Sequence, residues 1–123
     1  MSTKRCLIVD DSRTVRSIAS NIVANLAFMP VEAENGVEAL EICRNAMPDV
    51  ILMDWNMPIM DGLDCLKELR GMPGGDRPVV VFCTTENDIE HISMAVSAGA
   101  NEFIMKPFDN EIMRCKFKSV GLI

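Results

Sequence analysis

The chain of 123 residues contains no tyrosine, one tryptophan (Trp55) and one histidine (His91). Without tyrosine there is no phenolic hydroxyl for chemistry or for a partner contact. His91 has no metal-ligating companion nearby and reads as a surface residue of a helix. The five cysteines (Cys6, Cys43, Cys65, Cys83, Cys115) form no C-x-x-C pair. Their surroundings are apolar, so they read as small core residues of a reduced, cytosolic protein. Positive charge is scarce: 12 Lys and Arg stand against 18 Asp and Glu, for a net charge of −6. A nonspecific nucleic-acid binder is usually basic, so neither DNA nor RNA is the expected partner. No apolar run approaches membrane-spanning length, and the opening MSTKRCLIVDDS lacks the apolar stretch of a secretion signal. A cytoplasmic location without membrane insertion is the expectation. Linkers, repeats and low-complexity tracts are missing too.

The chain does have the makings of a core. Hydrophobic residues make up 49% and charged residues 24%, which suits one ordinary domain over residues 1–123. Apolar runs alternate with helical stripes. Residues 6–9 (CLIV) read as a strand buried on both faces, and Ser12 as the N-cap of a helix carrying Val15, Ile18, Ala19, Ile22, Val23 and Leu26. Residues 29–34 form a weaker strand, and Asn35-Gly36 marks a turn. Val37, Leu40 and Cys43 define a second helix that stops before Pro48. Residues 50–53 (VILM) form a strong strand, and Leu63, Leu66 and Leu69 a short helix. A loop over residues 71–75 leads to a strand at residues 79–83. Ile89, Ile92 and Val96 mark a fourth helix, residues 103–105 a last strand, and residues 112–120 a last helix.

Five βα units with continuous apolar strands predict a parallel sheet covered by helices on both faces. Five are too few for an eight-stranded barrel. The expected architecture is therefore α/β, a flavodoxin-like doubly wound five-stranded sheet of order 2-1-3-4-5 with five helices. Such sheets bind ligands beyond the carboxyl ends of their strands. Asp10 and Asp11 follow the first strand, Asp54 the third, Thr84 and Thr85 the fourth, and Lys106-Pro107 the fifth. Three carboxylates at one spot need a cation or a proton, and Lys106 supplies only one charge. A hard divalent ion with oxygen ligands completes the balance, and Mg²⁺ suits a site with few carboxylates, retained waters and a phosphate oxygen. Metal, carboxylate nucleophile, hydroxyl and ammonium together suit phosphoryl transfer, with a carboxylate as acceptor.

Taken singly, each residue has an ordinary reading. Asp10-Asp11 can cap a helix, Asp54 can sit in a turn, Thr84 can be a loop hydroxyl and Lys106 a solvated charge. Their convergence on one sheet edge is what singles them out. Met57 and Met60, among ten methionines, either fill the core or offer an adaptable contact surface. Trp55 is a lid over the site or ordinary packing. Arg114, Lys116 and Lys118 form a basic helix face that is solvated or meets an acidic partner or a nucleotide phosphate.

DDS after the first strand, MDWNMPIMDG around Asp54, TT after the fourth strand and KPF at 106–108 together resemble the receiver domain of two-component response regulators. The single-domain, CheY-like chemotaxis type is the nearest likeness, over essentially the whole chain. The resemblance implies that Asp54 accepts a phosphoryl group from a sensor histidine kinase or phosphotransfer protein. It implies Mg²⁺, with Mn²⁺ as a substitute, on Asp11, Asp54 and the backbone carbonyl of Asn56, with Asp10 acting through water. Thr84 and Lys106 would bind phosphoryl oxygens, and Lys106-Pro107 would be a cis peptide. Phe103 stands at the switch position, where relatives often carry Tyr, so a ring movement is available but a hydroxyl hydrogen bond is not. Thr85 is bulkier than the Ala or Gly common beside Thr84. With Asn56 and Glu86, it stands where the family tunes phosphoryl access and lifetime. The implied protein is a signalling domain with intrinsic self-phosphorylation and self-dephosphorylation, not a metabolic enzyme. Its output would be a downstream target, such as a flagellar motor switch or a kinase, on the face of the fourth helix, fifth strand and fifth helix. One rival is a phosphorelay intermediate feeding a histidine phosphotransfer protein. A flavodoxin-like cofactor binder would need a Ser/Thr/Gly-rich phosphate loop where this chain has DDSRT. A metal-dependent phosphate hydrolase ranks behind both.

Overall fold

A computed structural model describes residues 3–85 and 89–123. Strands and helices alternate: β1 (Arg5–Val9), α1 (Arg13–Asn25), β2 (Met29–Ala33), α2 (Gly36–Asn45), β3 (Val50–Asp54), α3 (Gly62–Gly71), β4 (Val79–Thr84), α4 (Ile89–Ser97), β5 (Glu102–Met105) and α5 (Asn110–Ser119). The strands form one sheet in the order β2-β1-β3-β4-β5, all parallel. This is the doubly wound topology that the alternation predicts.

The period of two along a strand sorts the core into two layers. Leu7, Val9, Ile51, Met53, Val80 and Phe82 face α2, α3 and α4, where Leu40, Cys43, Leu66, Leu69 and Ala95 meet them. Cys6, Ile8, Val50, Leu52, Val81 and Ile104 face the other way, onto Ala19, Ile22 and Val23 of α1 and Met113 and Phe117 of α5. Each fully buried Leu, Ile or Phe contributes about 1.5–3 kcal/mol relative to exposure. The packed layers thus hold the strand ends rigidly in place.

Four helices start on a side-chain cap, Ser12, Asn35, Asp61 and Asp109 each accepting a backbone N–H three residues on. Asn35-Gly36 is therefore not a free turn but the start of α2. Asp54, expected just past its strand, stays in the ladder opposite Cys83. The expected apolar stripe of α4 is displaced. Ala95 is the buried position, while Ile89 is 82% and Val96 57% exposed. The helix turns His91, Ile92, Ala95 and Ala98 inward instead. Cys115 lies outside the expected core, because α5 buries Met113 and Phe117 and so points the residue midway between them at solvent.

Candidate functional site

The carboxyl ends of β1, β3, β4 and β5 meet at one edge. Asp10 follows β1, with its backbone N–H donating to the Ala33 carbonyl oxygen at 3.1 Å. Asp54 ends β3 and Thr84 ends β4, both buried. The backbone N–H of Lys106 donates to the Thr84 carbonyl at 2.9 Å, which keeps Lys106 beside the tip of β4. Gly62 closes the loop after β3. Its N–H donates to the Trp55 carbonyl at 2.8 Å, and a side chain here would overlap the Asp54 carbonyl oxygen. Only a glycine lets α3 start this close to the strand tip.

Lys106 bridges two of the acids. Its Nζ lies 2.7 Å from Asp10 Oδ2 and 2.9 Å from Asp54 Oδ1. Oxygens of Asp10, Asp11 and Asp54 all lie within 4.8 Å of one another. Asp10 and Asp54 are buried, and Asp11 is exposed. Burial pushes the Asp54 carboxyl above its ordinary value. The hydrogen bond and charge of Lys106 pull it back only in part, and Asp10 and Asp11 add to the rise. Burial alone would push the Lys106 ammonium down, but its hydrogen bonds to Asp10 and Asp54 and their charges outweigh that and raise it. The ammonium is thus firmly charged, and it is one cation against three carboxylates. A convergent, oxygen-only donor set with uncompensated negative charge and one exposed member fits a hard divalent cation.

The other expected residues divide. Asn56 is exposed in the loop after β3, and Thr85 is exposed just past β4. Glu86 lies outside the described residues. Lys106-Pro107 is a cis peptide. Phe103 is half-buried on β5, and Lys116 Nζ sits 5.0 Å from its ring centroid. Trp55 is half-buried, its ring 5.2 Å from Phe82 and 5.1 Å, edge-on, from His91. His91 is accordingly part of the packing around the site and not the bare surface residue expected. Met57 and Met60 pack against the core. An apolar recess of about 240 Å³ borders the site, lined by Val15, Ile18, Thr85, Lys106, Pro107 and Phe108.

Sequence reasoning passed over Arg16. It is a buried charged residue whose guanidinium donates to the Asp10 carbonyl at 2.7 Å and pairs with Glu32 at 3.0 Å. The signal was present: Arg16 occupies the same helical face as Ala19 and Val23, so a charge there interrupts a buried stripe.

An open doubly wound sheet with a carboxylate cluster and a lysine at the ends of its strands defines a flavodoxin-like α/β domain with an acidic site at its carboxyl edge. The family model for the response regulator receiver domain matches residues 6–118, and the chain belongs to that family. It is 39% identical over 118 residues to the chemotaxis protein CheY1 of Helicobacter pylori, covering 94% of this chain and 95% of that protein. It is 38% identical over 105 residues to the chemotaxis protein CheY of Halobacterium salinarum, covering 85% and 86%. Among solved structures, Vibrio cholerae CheY4 superimposes with a TM-score of 0.92 at 29% identity, over 97% of this chain and 99% of that one. The chain is thus a CheY-like receiver domain. Receiver domains of this kind bind Mg²⁺ at a cluster of acidic residues, and they work with histidine kinases and targets such as the flagellar switch. No helix among the described residues is long and apolar enough to cross a membrane.

Proposed function

We propose that this chain is a single-domain response regulator over residues 1–123, located in the cytoplasm, that accepts a phosphoryl group on Asp54 from phosphohistidine. The observation that carries this reading is the Lys106 ammonium bridging Asp10 and Asp54 within one cluster of three carboxylates. Asp11, Asp54 and the Asn56 carbonyl would hold Mg²⁺, with Asp10 acting through water. Bound Mg²⁺ would neutralise charge on the phosphoryl oxygens.

The chemistry belongs to the carboxylate. An Asp54 oxygen forms a bond to phosphorus as the phosphorus–nitrogen bond of phosphohistidine breaks, and the imidazole nitrogen leaves and takes up a proton. Burial keeps water away from Asp54, which strengthens every charge interaction there. Lys106 moves one hydrogen bond from a carboxylate to a phosphoryl oxygen, and the Thr84 hydroxyl closes on another. The apolar recess beside Lys106 offers a place for the partner that carries the imidazole. Water later hydrolyses the acyl phosphate, with Asn56, Thr85 and Glu86 setting access and lifetime.

Output runs through the face of α4, β5 and α5. Ile89, Met94 and Val96 lie exposed there. Phe103 carries Lys116 over its ring, with Glu102 3.5 Å from the same ammonium. Movement of Thr84 toward the phosphoryl group draws on Phe103 and reshapes this surface for a protein target. The chemotaxis relatives named above weigh toward a motor switch or kinase as target and against a phosphorelay intermediate.

Intact mass with Mg²⁺ and a small acyl-phosphate donor tests the reading. The expected result is one added phosphoryl group, lost in Asp54→Asn and without Mg²⁺. An unmodified wild type, or full labelling of the variant, sinks the mechanism.

A further inference from the structure

We infer that Arg16 is a positioning residue for the acid pair: through the Asp10–Asp11 peptide it sets the affinity of the site for its divalent cation. The inference rests on the reading of Asp10, Asp11 and Asp54 as a metal site. It starts from the burial of a charge. Arg16 is only 9% exposed, on a helix face otherwise given to Ala19 and Val23. Burying a guanidinium is costly unless all its sides are satisfied. Two of them are: Nε pairs with Glu32 Oε1 at 3.0 Å, and Nη1 donates to the Asp10 carbonyl at 2.7 Å, and among the described residues no buried side-chain nitrogen or oxygen lacks a partner. Glu32 is itself held by the Ser20 hydroxyl at 3.3 Å.

The reach of Arg16 follows from helix geometry. Ser12 caps α1, and the Arg16 N–H makes the first helical bond, back to the Ser12 carbonyl at 3.0 Å. Helical side chains lean toward the N-terminus, so Arg16 extends over the first turn and back to the tip of β1.

What it grips matters more than the pairing. The Asp10 carbonyl belongs to the peptide plane joining Asp10 to Asp11. Holding that oxygen holds the plane, and with it the backbone from which Asp11 leaves. The rest of Asp10 is held as well. Its N–H donates to Ala33, Oδ1 accepts from the Ser12 N–H at 2.9 Å, and Oδ2 accepts from Lys106. Asp11 is exposed, and among the described residues no hydrogen bond or salt bridge holds its side chain. Its direction is therefore inherited from the plane that Arg16 fixes. An ion pair that merely tied α1 to β2 would need Glu32 but not the Asp10 carbonyl.

The test is a titration of the full chain with MgCl₂ alone, followed by Trp55 fluorescence, well below the melting temperature of every variant. Arg16→Met keeps the stem and removes the donors, and it should weaken Mg²⁺ binding roughly tenfold, the usual effect of losing a residue that orients a ligand. Arg16→Lys, able to keep the carbonyl bond but not the fork, should fall between. Glu32→Gln, a milder change should Arg16→Met fail to fold, should weaken binding roughly threefold by loosening the guanidinium. Arg70→Met, which removes a half-buried arginine far along α3, serves as the control and should lower stability without moving the dissociation constant. Should Arg16→Met and Glu32→Gln melt earlier but bind Mg²⁺ within twofold of wild type, Arg16 is structural only and the inference is overturned. Should the wild type itself bind no Mg²⁺, the metal-site reading fails and takes the inference with it.

Discussion

Asp54 is a buried carboxyl whose pKa lies above its ordinary value, chiefly because of burial. The sign of its linkage follows. A carboxyl raised in the folded state supports the fold below its unfolded pKa, near about 4, and that support is lost as pH rises through the folded value. At neutral pH and without metal, the ionised Asp54 therefore destabilises the protein. Asp54→Asn removes the charge and keeps the shape. It should raise the melting temperature in chelator by roughly 4 °C, about 1 kcal/mol for a domain of this size. The gap between variant and wild type should close as the buffer is taken from pH 7 to pH 4. Adding Mg²⁺ should reverse the order, because binding stabilises the wild type. Thermal melts at two pH values, with and without the ion, check both signs.

The loop between β3 and α3 shows how an element can be bent to serve its end. Ile59 is a β-branched residue at φ 72° and is 82% exposed. That backbone region costs an L-residue about 1–2 kcal/mol and suits Gly or Asn. Ile59→Asn should raise stability by about 1 kcal/mol in a urea melt with unchanged m-value. An unchanged or lower midpoint would show that the side chain does something the exposed position hides. The helices show where sequence patterns reach and where they stop. The stripe of α1 was legible because Ala19, Ile22 and Val23 face a sheet layer, although Ile18 of the same stripe is 49% exposed. The stripe of α4 misled because its buried position is Ala95, and Ile89 and Val96 satisfy the same spacing from the solvent side. Periodicity gives the spacing of a face without saying which face is covered.

Across the whole molecule, the site was legible because each of its acids and its lysine directly follows or ends an apolar strand, and parallel topology brings such ends together. What stayed hidden depends on contacts distant in sequence: Arg16 with Glu32, Trp55 with His91, and Arg70. Arg70 makes five hydrogen bonds, to the carbonyls of Gly75, Pro78 and Gly99 (twice) and to Asn101 Oδ1. It ties the end of α3 to the entrances of β4 and β5. Arg70→Met leaves those acceptors without a cationic donor and should cost about 2 kcal/mol in equilibrium unfolding. A loss below roughly 0.5 kcal/mol, the scale of an ordinary surface change, would mean that water replaces the guanidinium freely.

The cysteines carry a practical corollary. Cys6, Cys43, Cys65 and Cys83 are buried, and burial pushes all four thiols up, Cys43 to about 11 and Cys65 and Cys83 to about 12. Their thiolate fraction at neutral pH is negligible. Cys115 alone among the five is open to solvent, on α5 beside Arg114. A thiol-reactive reagent should count one fast group in the folded protein and five after denaturation. A dye could therefore be attached at one place without engineering, on the helix proposed to meet the target. With one tryptophan beside Asp54 as natural donor, the unmodified sequence already holds both ends of an optical ruler from the proposed reaction centre to the proposed output surface.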